Sequence, residues 1–303
     1  MVKPKITVIG SSNTDMICKV PQIPRPGETI MGTEFFTVQG GKGANQAVAA
    51  ARAGGDVTFI ACVGNDAFGQ QAIESYKKEG INTSCIQKME GVATGVALIN
   101  VADSGENSIS VAPGANAKLS CQMIDEYKEV ILAADIVLLQ LEIPIETVYH
   151  VIRLVHAAQI PVVLNPAPSC RIGPEILAML TLVTPNEHEA FMISGMVTET
   201  NSISDMAIEI EKTGIKSVII TTGSKGALCR QNGVEEVIPA MEVKAVDTTA
   251  AGDTFNGYLV VELSKGRNIQ DAIKIANKAA AISVTRLGAQ PSIPFAEELL
   301  LTD

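Results

Sequence analysis

Short runs of β-branched and aliphatic residues alternate with amphipathic stretches along most of the chain. Apolar runs bounded by turn residues are typical of strands buried on both faces, and the longer stretches between them are typical of helices. The predicted strands cover residues 6–9, 57–62, 136–140, 162–165, 182–184 and 218–222. The predicted helices cover residues 44–53, 68–78, 122–132, 145–157, 187–193 and 204–212. The alternation predicts an α/β fold, a doubly wound and mainly parallel sheet flanked by helices, in one domain over residues 1–303.

Two stretches interrupt this alternation. In residues 16–38, prolines separate strand-like pieces, and residues 94–112 are typical of a hairpin with its turn at 103–107. We expect them to form a small antiparallel sheet, a lid over the glycine-rich segment 40–43. If such a sheet has an apolar face, that face is expected to pack against another surface. The candidates are the mouth of the site and the same lid of a second subunit. Two insertions without function remain the alternative.

Composition narrows the class of protein. The chain has 303 residues, of which 47% are hydrophobic and 18% charged, and this balance is typical of a globular protein. The net charge is −10 and no basic run exceeds a pair, which argues against binding to nucleic acid or an anionic membrane surface. The six cysteines lack metal-binding spacing, and the sequence shows no signal peptide or membrane span. We therefore expect a cytoplasmic protein.

The segment 247–257 carries the clearest chemical signal. Small residues, Ala250-Ala251-Gly252, and one carboxylate, Asp253, precede an apolar helix predicted over residues 254–263. Free N–H groups and the helix dipole make such a helix start attractive to an anion. A carboxylate beside an anion is unfavourable unless it has a task, such as accepting a proton from an attacking hydroxyl, so the pair suggests phosphoryl transfer. The alternative is an ordinary aspartate N-cap with a glycine in a tight turn.

Further polar residues follow the first predicted strand. Asn13 and Asp15 alternate and face the same side of an extended chain, where an amide and a carboxylate suit vicinal hydroxyls. Capping of a turn explains them equally well. The segment 40–45 places glycines around Lys42 at a helix start, so that backbone can approach a ligand closely. Because the lysine is followed by glycine, and because no strand carries GxGxxG, P-loop and dinucleotide-binding folds are disfavoured.

Three other features lie at predicted strand ends. Asn186 and Glu189 open a helix on one face, where they suit either water-mediated magnesium binding or a capping box. The segment 222–226 is a tight turn with exposed N–H groups, or simply a hairpin turn. Glu142 is a further carboxylate beyond a strand.

Taken together, segments 40–45, 186–189, 222–226 and 247–253 resemble, in content and in order, the motifs of the ribokinase family of sugar and nucleoside kinases. The resemblance extends from Val8 to Pro294. It implies ATP-dependent phosphorylation of D-ribose at the 5-hydroxyl, giving ribose 5-phosphate and ADP. A related kinase acting on fructose, adenosine or deoxyribose is the alternative. A sugar sensor that has lost the chemistry is a second one, although the retained Asp253 argues against it.

The resemblance also implies roles for individual residues. Asp253 is the expected general base, beside an anion hole formed by the N–H groups of Ala250, Ala251 and Gly252. The expected sugar pocket consists of Asn13, Asp15, Gly41, Lys42, Gly43, Asn45, Glu142 and Asp253. The expected nucleotide-binding residues are Asn186, Glu189, Thr221, Gly223, Ser224, Gly226, Gly252 and Asn277, the last from a helix predicted over residues 269–285.

Cations and assembly are implied in the same way. Glu189 is expected to organise Mg²⁺. A monovalent cation, K⁺, is expected mainly on backbone oxygens at Asp247, Thr249, Ser283, Arg286, Gly288 and Ser292. The resemblance further implies a homodimer formed through the lid.

Overall fold

A computed structural model of the chain describes residues 2–197 and 202–301. The strands are β1 (Lys5–Ile9), β2 (Asn13–Val20), β3 (Glu34–Gly40), β4 (Asp56–Gly64), β5 (Ile86–Met89), β6 (Gly95–Ala102), β7 (Asn107–Ala112), β8 (Ile136–Leu139), β9 (Val162–Leu164), β10 (Leu182–Val183), β11 (Ser217–Thr221), β12 (Ala227–Gln231) and β13 (Val234–Ile238). The α-helices are α1 (Lys42–Arg52), α2 (Ala67–Lys78), α3 (Cys121–Glu126), α4 (Lys128–Leu132), α5 (Ile145–Ala157), α6 (Pro174–Leu177), α7 (Glu187–Ser194), α8 (Ile203–Glu211), α9 (Ala251–Ser264) and α10 (Ile269–Ser283).

Nine strands form the main sheet, in the order β13-β12-β11-β10-β9-β8-β1-β4-β5. Its pairings are parallel from β5 to β11, and the last two strands, β12 and β13, run antiparallel at one edge. From β1, the chain adds β4 and β5 on one side and then β8 to β11 on the other. The strand order therefore reverses between β1 and β8, and a crevice at the carboxyl ends of these strands is where such folds bind ligands.

Apolar side chains cover both faces of the main sheet. Helices α1, α2, α9 and α10 bury one face, and α3 to α8 bury the other. Helices α1 and α9 lie unusually close, because Gly257 has no side chain. A Cβ atom at this position would lie 2.4 Å from Cβ of Ala49 and 2.8 Å from the carbonyl oxygen of Gln46. This contact sets the distance between the two helices that carry the polar residues described below.

The small sheet has the order β3-β2-β6-β7 and lies outside the main sheet. Its outer pairs, β2–β3 and β6–β7, are antiparallel, as predicted, but the central pair β2–β6 is parallel. The pairing register places Asp15 on the same face as Phe36, Ile109 and Val111, because paired residues point to the same side of a sheet. Phe36, Ile109 and Val111 are exposed, so this face is apolar and uncovered in the single chain.

The doubly wound α/β fold and its six predicted strands are confirmed, with strand ends that differ by at most two residues. The continuous helix over residues 122–132 is wrong: Tyr127, at φ −103° and ψ 12°, leaves helical geometry and separates α3 from α4. The hydroxyl of Tyr127 accepts a hydrogen bond from the side chain of Gln87 on β5. Helix α9 begins at Ala251 rather than at residue 254. Across residues 2–197 and 202–301, the structure contains no helix of a length and apolarity suited to spanning a bilayer.

Strands β5, β12 and β13 were missed. The hairpin β12–β13 turns at Asn232 and Gly233, whose φ angles are 52° and 78°. An Asn-Gly pair with two positive φ angles is the strongest short-range hairpin signal, so this hairpin was readable from the sequence.

Candidate active site

The residues that we expected to carry chemistry meet at the carboxyl edge of the main sheet. Asn13 follows β1, Glu142 follows β8, and Asn186 follows β10. A cavity of about 420 Å³ lies beside the first two of these residues, and Asn13, Glu142 and Val111 contribute to its lining. The cavity therefore lies between the main sheet and the small sheet.

The start of α9, which we expected to bind an anion, has an unusual backbone. Its N-cap, Ala250, has the left-handed conformation at φ 60°, which is strained for a residue with a side chain. Among the described residues no side chain caps this end, and the main-chain N of Ala251 donates to the carbonyl oxygen of Thr248 at 3.3 Å. A Cβ atom at Gly252 would meet no atom of the described residues within 4 Å, so the space beside this residue is open. The alternative of an aspartate N-cap is excluded, because Asp253 lies inside the first turn.

The carboxylate of Asp253 points away from its own helix end and into α1. Its Oδ2 accepts a hydrogen bond from Nδ2 of Asn45 at 3.0 Å, and its Oδ1 accepts one from Nε2 of Gln46 at 2.9 Å. Burial raises the pKa of Asp253, while Lys42 and the two amides act in the opposite direction. The result is a buried carboxyl group in the first turn of α9, with both oxygens held by hydrogen bonds.

Lys42 is the cation of this region. Burial alone would lower the pKa of Lys42, but the surrounding carboxylates raise it above its ordinary value, so the lysine stays charged. These carboxylates belong to Asp253, Glu142, Glu189 and Asp15. Burial, reinforced by Glu142 and Asp253, raises the pKa of Asp15 to about 6. The negative charges outnumber the positive one, so an additional cation is electrostatically favourable here.

Glu142 is anchored to the loop after β1 and to the start of α1. Its Oε2 accepts hydrogen bonds from Oγ of Ser11 at 2.6 Å and from the main-chain N of Lys42 at 3.0 Å. Gly43 permits this arrangement, since a Cβ atom there would lie 2.5 Å from the main-chain N of Ser11. Gly43 thus allows the start of α1 to pack closely against the loop after β1. We had expected only that it lets backbone approach a ligand.

Asn116, which the sequence analysis did not single out, orients Asn13. Its Nδ2 donates to Oδ1 of Asn13 at 2.7 Å, and its Oδ1 accepts from the main-chain N of Ser12 at 2.8 Å. Because Oδ1 of Asn13 accepts this bond, the amide nitrogen of Asn13 is left to face the cavity as a donor. Asp15, two residues further along β2, provides an acceptor on the same side. Asn13 and Asp15 thus place a donor and an acceptor on the same side of β2.

Most of the expected nucleotide-binding residues follow β10 and β11, whereas Gly252 lies on α9 and Asn277 on α10. Asn186 and Glu189 form a reciprocal capping box at the start of α7, and burial raises the pKa of Glu189. Thr221 pairs with Asn186, which brings the turn 222–226 next to α7. Residues Gly223 and Ser224 of this turn are exposed, and Gly226 is buried. Asn277 of α10 donates to the carbonyl oxygens of Ile238 and Pro239.

The residues expected to bind a monovalent cation lie in two adjoining loops. Oδ1 of Asp247 accepts from the main-chain N of Thr249 at 2.9 Å, and Oδ2 accepts from the main-chain N of Gly288 at 2.9 Å. Burial alone would raise the pKa of Asp247, but these hydrogen bonds hold it below its ordinary value. Ser283 and Ser292 are buried beside these loops, and Arg286 is paired with Glu298. Within the described ranges, no cluster of three or more His, Cys, Asp or Glu side chains is arranged to hold a metal.

Several polar residues of the site were missed by sequence reasoning. All of them are buried: Ser11, Gln46, Asn116, Gln140, Asn165, Thr184, Asn256 and Gln290. One signal was available for Gln140, Asn165 and Thr184, because each is a polar residue directly after an apolar strand of a parallel sheet.

The doubly wound sheet, the small sheet at its carboxyl edge and the helix start with Asp253 define an α/β enzyme of the ribokinase-like fold. The family model described as pfkB family carbohydrate kinase matches residues 3–296. The chain is 42% identical to the ribokinase of Haemophilus influenzae over 97% of both chains. A solved ribokinase from Thermotoga maritima superposes with a TM-score of 0.91 at 42% identity, covering 98% of each chain. The ribokinase of Arabidopsis thaliana, solved with ribose and ATP, superposes with a TM-score of 0.92 at 32% identity, covering 99% of this chain and 98% of that one.

The chain therefore belongs to the pfkB family of carbohydrate kinases.

Proposed function

We propose that this protein transfers the γ-phosphoryl group of ATP to the 5-hydroxyl of D-ribose. Asp253 accepts the hydroxyl proton while the hydroxyl oxygen attacks the γ-phosphorus. The bond between that phosphorus and the β–γ bridging oxygen breaks, and ADP leaves with ribose 5-phosphate as the other product. The observation that carries the proposal is a buried, doubly hydrogen-bonded carboxylate in the first turn of an uncapped helix.

The helix start supports the transferred group. The N–H groups at Ala250, Ala251 and Gly252 are fixed by the backbone, so they stabilise charge that develops on the phosphoryl oxygens without having to reorganise. Removing one such preorganised donor from an enzyme typically costs about 3–4 kcal/mol of transition-state stabilisation. The open space in front of Gly252 is where we place the phosphoryl group.

The sugar is held by groups that match hydroxyls. Asn13 donates, and the carboxylates of Asp15 and Glu142 accept, so each can bind a hydroxyl of ribose. Lys42 is a further donor, and Gly41, Gly43 and Asn45 complete the pocket beside Asp253. We propose that the small sheet acts as a lid of the single domain and excludes water when the sugar is bound.

Cations fit the charge and the donors of the site. Glu189 accepts from the main-chain N of Asn186 with one oxygen and has its other oxygen for a water bound to Mg²⁺, which usually keeps several waters. The loops at Asp247, Thr249, Ser283, Arg286, Gly288 and Ser292 offer mainly carbonyl oxygens, the ligands that replace the hydration shell of K⁺. When bound, Mg²⁺ would neutralise charge on the phosphates, and K⁺ would stabilise the loop beside the anion hole. Thr221, Gly223, Ser224, Gly226 and Asn277 are proposed to contact the nucleotide.

We further propose a homodimer through the exposed face that carries Phe36, Ile109 and Val111, because a second copy would cover this apolar surface. Cytoplasmic location is proposed from the six cysteines, all of which are free thiols, as in a reducing compartment.

A coupled assay of ADP release tests the function. Ribose, deoxyribose, fructose and adenosine are compared at equal concentrations, with Mg²⁺ and with or without K⁺. We expect the highest kcat/KM for ribose. A preference for adenosine or another sugar would overturn the substrate assignment, and no ADP release with any of them would overturn the kinase assignment.

A further inference from the structure

Buried side-chain amides form a continuous set behind Asp253, and none of them belongs to the proposed sugar or nucleotide sites. They are Gln46 on α1, Gln140 after β8, Asn165 after β9 and Asn256 on α9, and each is at most 7% exposed. A buried amide is unfavourable unless it is hydrogen-bonded. Their hydrogen bonds therefore determine how these side chains are arranged.

Gln46 is the member that contacts Asp253. Its Nε2 donates to Oδ1 of Asp253 at 2.9 Å and to Oδ1 of Asn165 at 3.0 Å. Its Oε1 accepts from Nε2 of Gln140 at 2.6 Å. Gln46 has one favourable orientation, because a flipped amide would turn its oxygen toward two acceptors. Gln140 therefore donates to Gln46, Gln46 donates to Asp253, and both amide dipoles point toward the Asp253 carboxylate.

The hydrogen bonds continue beyond Gln46 and return to the start of α9. Nδ2 of Asn165 donates to the carbonyl oxygen of Thr184 at 3.0 Å, and Oγ1 of Thr184 donates to Oδ1 of Asn256 at 2.6 Å. Nδ2 of Asn256 donates to the carbonyl oxygen of Gly252 at 2.8 Å. Since Gly252 precedes Asp253, the set closes into a ring that connects the carboxylate to the ends of β9 and β10.

The arrangement is retained at a cost in stability. Oε1 of Gln140 is buried and has no hydrogen-bond partner in the described part of the chain. If this amide were turned over, its oxygen would face Oε1 of Gln46, and two acceptors would meet. The oxygen of Gln140 therefore lacks a partner because the nitrogen of the same amide donates to Gln46. A buried polar atom without a hydrogen-bond partner is expected where function, and not packing, determines which residue occupies a position.

We propose that Gln46 is a positioning residue for the general base Asp253. This inference rests on the proposed kinase function. Gln46 holds one carboxylate oxygen while Asn45 holds the other, so the carboxylate cannot rotate and presents its remaining lone pairs to the sugar hydroxyl. The hydrogen bond from Gln46 also favours the ionised form of the base, at a position where burial favours the protonated form.

The test replaces Gln46 by methionine, which has a similar length and no donor. For Gln46→Met we expect kcat to fall about tenfold or more, because the base is less well oriented, while KM for ribose changes less than about threefold. Loss of a hydrogen bond to the ionised carboxylate raises its pKa, so the acidic limb of the kcat–pH profile should move upward by about one pH unit. Gln140→Met, which keeps the Gln46–Asp253 bond, should show a smaller shift in the same direction.

Thr147→Val is the matched control. Thr147 is fully buried on α5, and its hydroxyl donates to the carbonyl oxygen of Leu119 at 2.7 Å. The valine variant loses a buried hydrogen bond on the opposite face of the sheet, and it should keep the wild-type kcat and pH profile. If Gln46→Met lowers stability like the control and leaves both the pH profile and kcat unchanged, Gln46 is merely structural and the proposal is wrong.

A second measurement does not need turnover. The carboxyl carbon of Asp253 is titrated by NMR in protein labelled with ¹³C-aspartate, with Asp253→Asn used for assignment. A higher pKa of Asp253 in Gln46→Met supports the proposal, and an unchanged pKa overturns it. Absence of ADP release by the wild-type chain would overturn the proposed function alone, and the titration would still decide the influence of Gln46 on Asp253.

Discussion

Gly257 lies where the packing of α1 against α9 can affect the position of Asp253. It lies on α9, one turn after Asp253, and faces α1 at the level of Gln46. A Cβ atom at this position would lie 2.4 Å from Cβ of Ala49, 2.7 Å from the main-chain N of Ala50 and 2.8 Å from the carbonyl oxygen of Gln46. Carbon atoms pack best at about 3.5–4.0 Å. Because two of the three atoms are backbone, Gly257→Ala must move the helices apart by about 1 Å.

The free energy of unfolding of Gly257→Ala is expected to be lower by about 1–2 kcal/mol. Replacing glycine by alanine inside a helix is worth about 1 kcal/mol of added stability. Overpacking costs about 1–3 kcal/mol, and the contact with rigid backbone puts this position at the upper end of that range. The second effect exceeds the first. A displacement of about 1 Å at a catalytic group can also reduce the rate by about 10²-fold, so kcat should fall as well.

Urea denaturation and the ADP-release assay measure the two effects. Ser264→Ala is the matched control, because it lies on the same helix, is half-buried and loses only a hydroxyl that donates to the carbonyl oxygen of Val260. Its stability should stay within about 0.5 kcal/mol of wild type, with unchanged kcat. An alanine at 257 that stabilises the protein and leaves kcat intact would show that α1 and α9 separate freely, and the reasoning from close contact would be refuted.

Three further predictions concern the site itself. Asp253→Asn should lower kcat by about 10² or more while ribose affinity, measured by calorimetry, stays similar; a near-wild-type rate would remove Asp253 from its role as base. KM for ribose should rise as the pH falls through about 6, because Asp15, whose pKa is raised to about 6, becomes protonated and loses an acceptor; in Asp15→Asn, KM should be high and independent of pH. Asn116→Leu should raise KM for ribose about tenfold, since Asn13 loses the donor that orients it, and steady-state kinetics that match wild type would contradict this.

Local sequence patterns were sufficient to predict most strands and helices of the main sheet. Buried parallel strands such as β1 and β8 are short and almost entirely apolar, so they stand out from the helices between them. Strand β5 is short, with only Ile86 buried, and such a weak pattern does not distinguish a strand from a loop. Tyr127 interrupts a helical pattern although no glycine or proline is present, because its side chain bonds to a residue of β5 that is distant in sequence.

In the candidate site, too, only the features with a local signal could be predicted from the sequence. The glycines and the small residues before α9 were readable because their backbone requirements are local: Gly41 and Ala250 have positive φ angles of 90° and 60°. The start of α9 was still placed three residues late, since the sequence of the anion site contains no capping side chain to mark it. A helix without a capping residue is difficult to delimit by capping rules, which rely on a side chain that accepts from the first N–H groups.

The amides behind Asp253 show why the remainder of the site depended on topology. Gln46 lies in an alanine-rich helix and Asn165 follows a three-residue strand, and in the sequence each is an isolated polar residue beside an apolar run. They become partners because the strand order places β8 beside β1 and β9 beside β8. Their hydrogen bonds join residues separated by more than a hundred positions. The carboxylate could be identified from its local motif, but the groups that hold it follow only from the order of the strands.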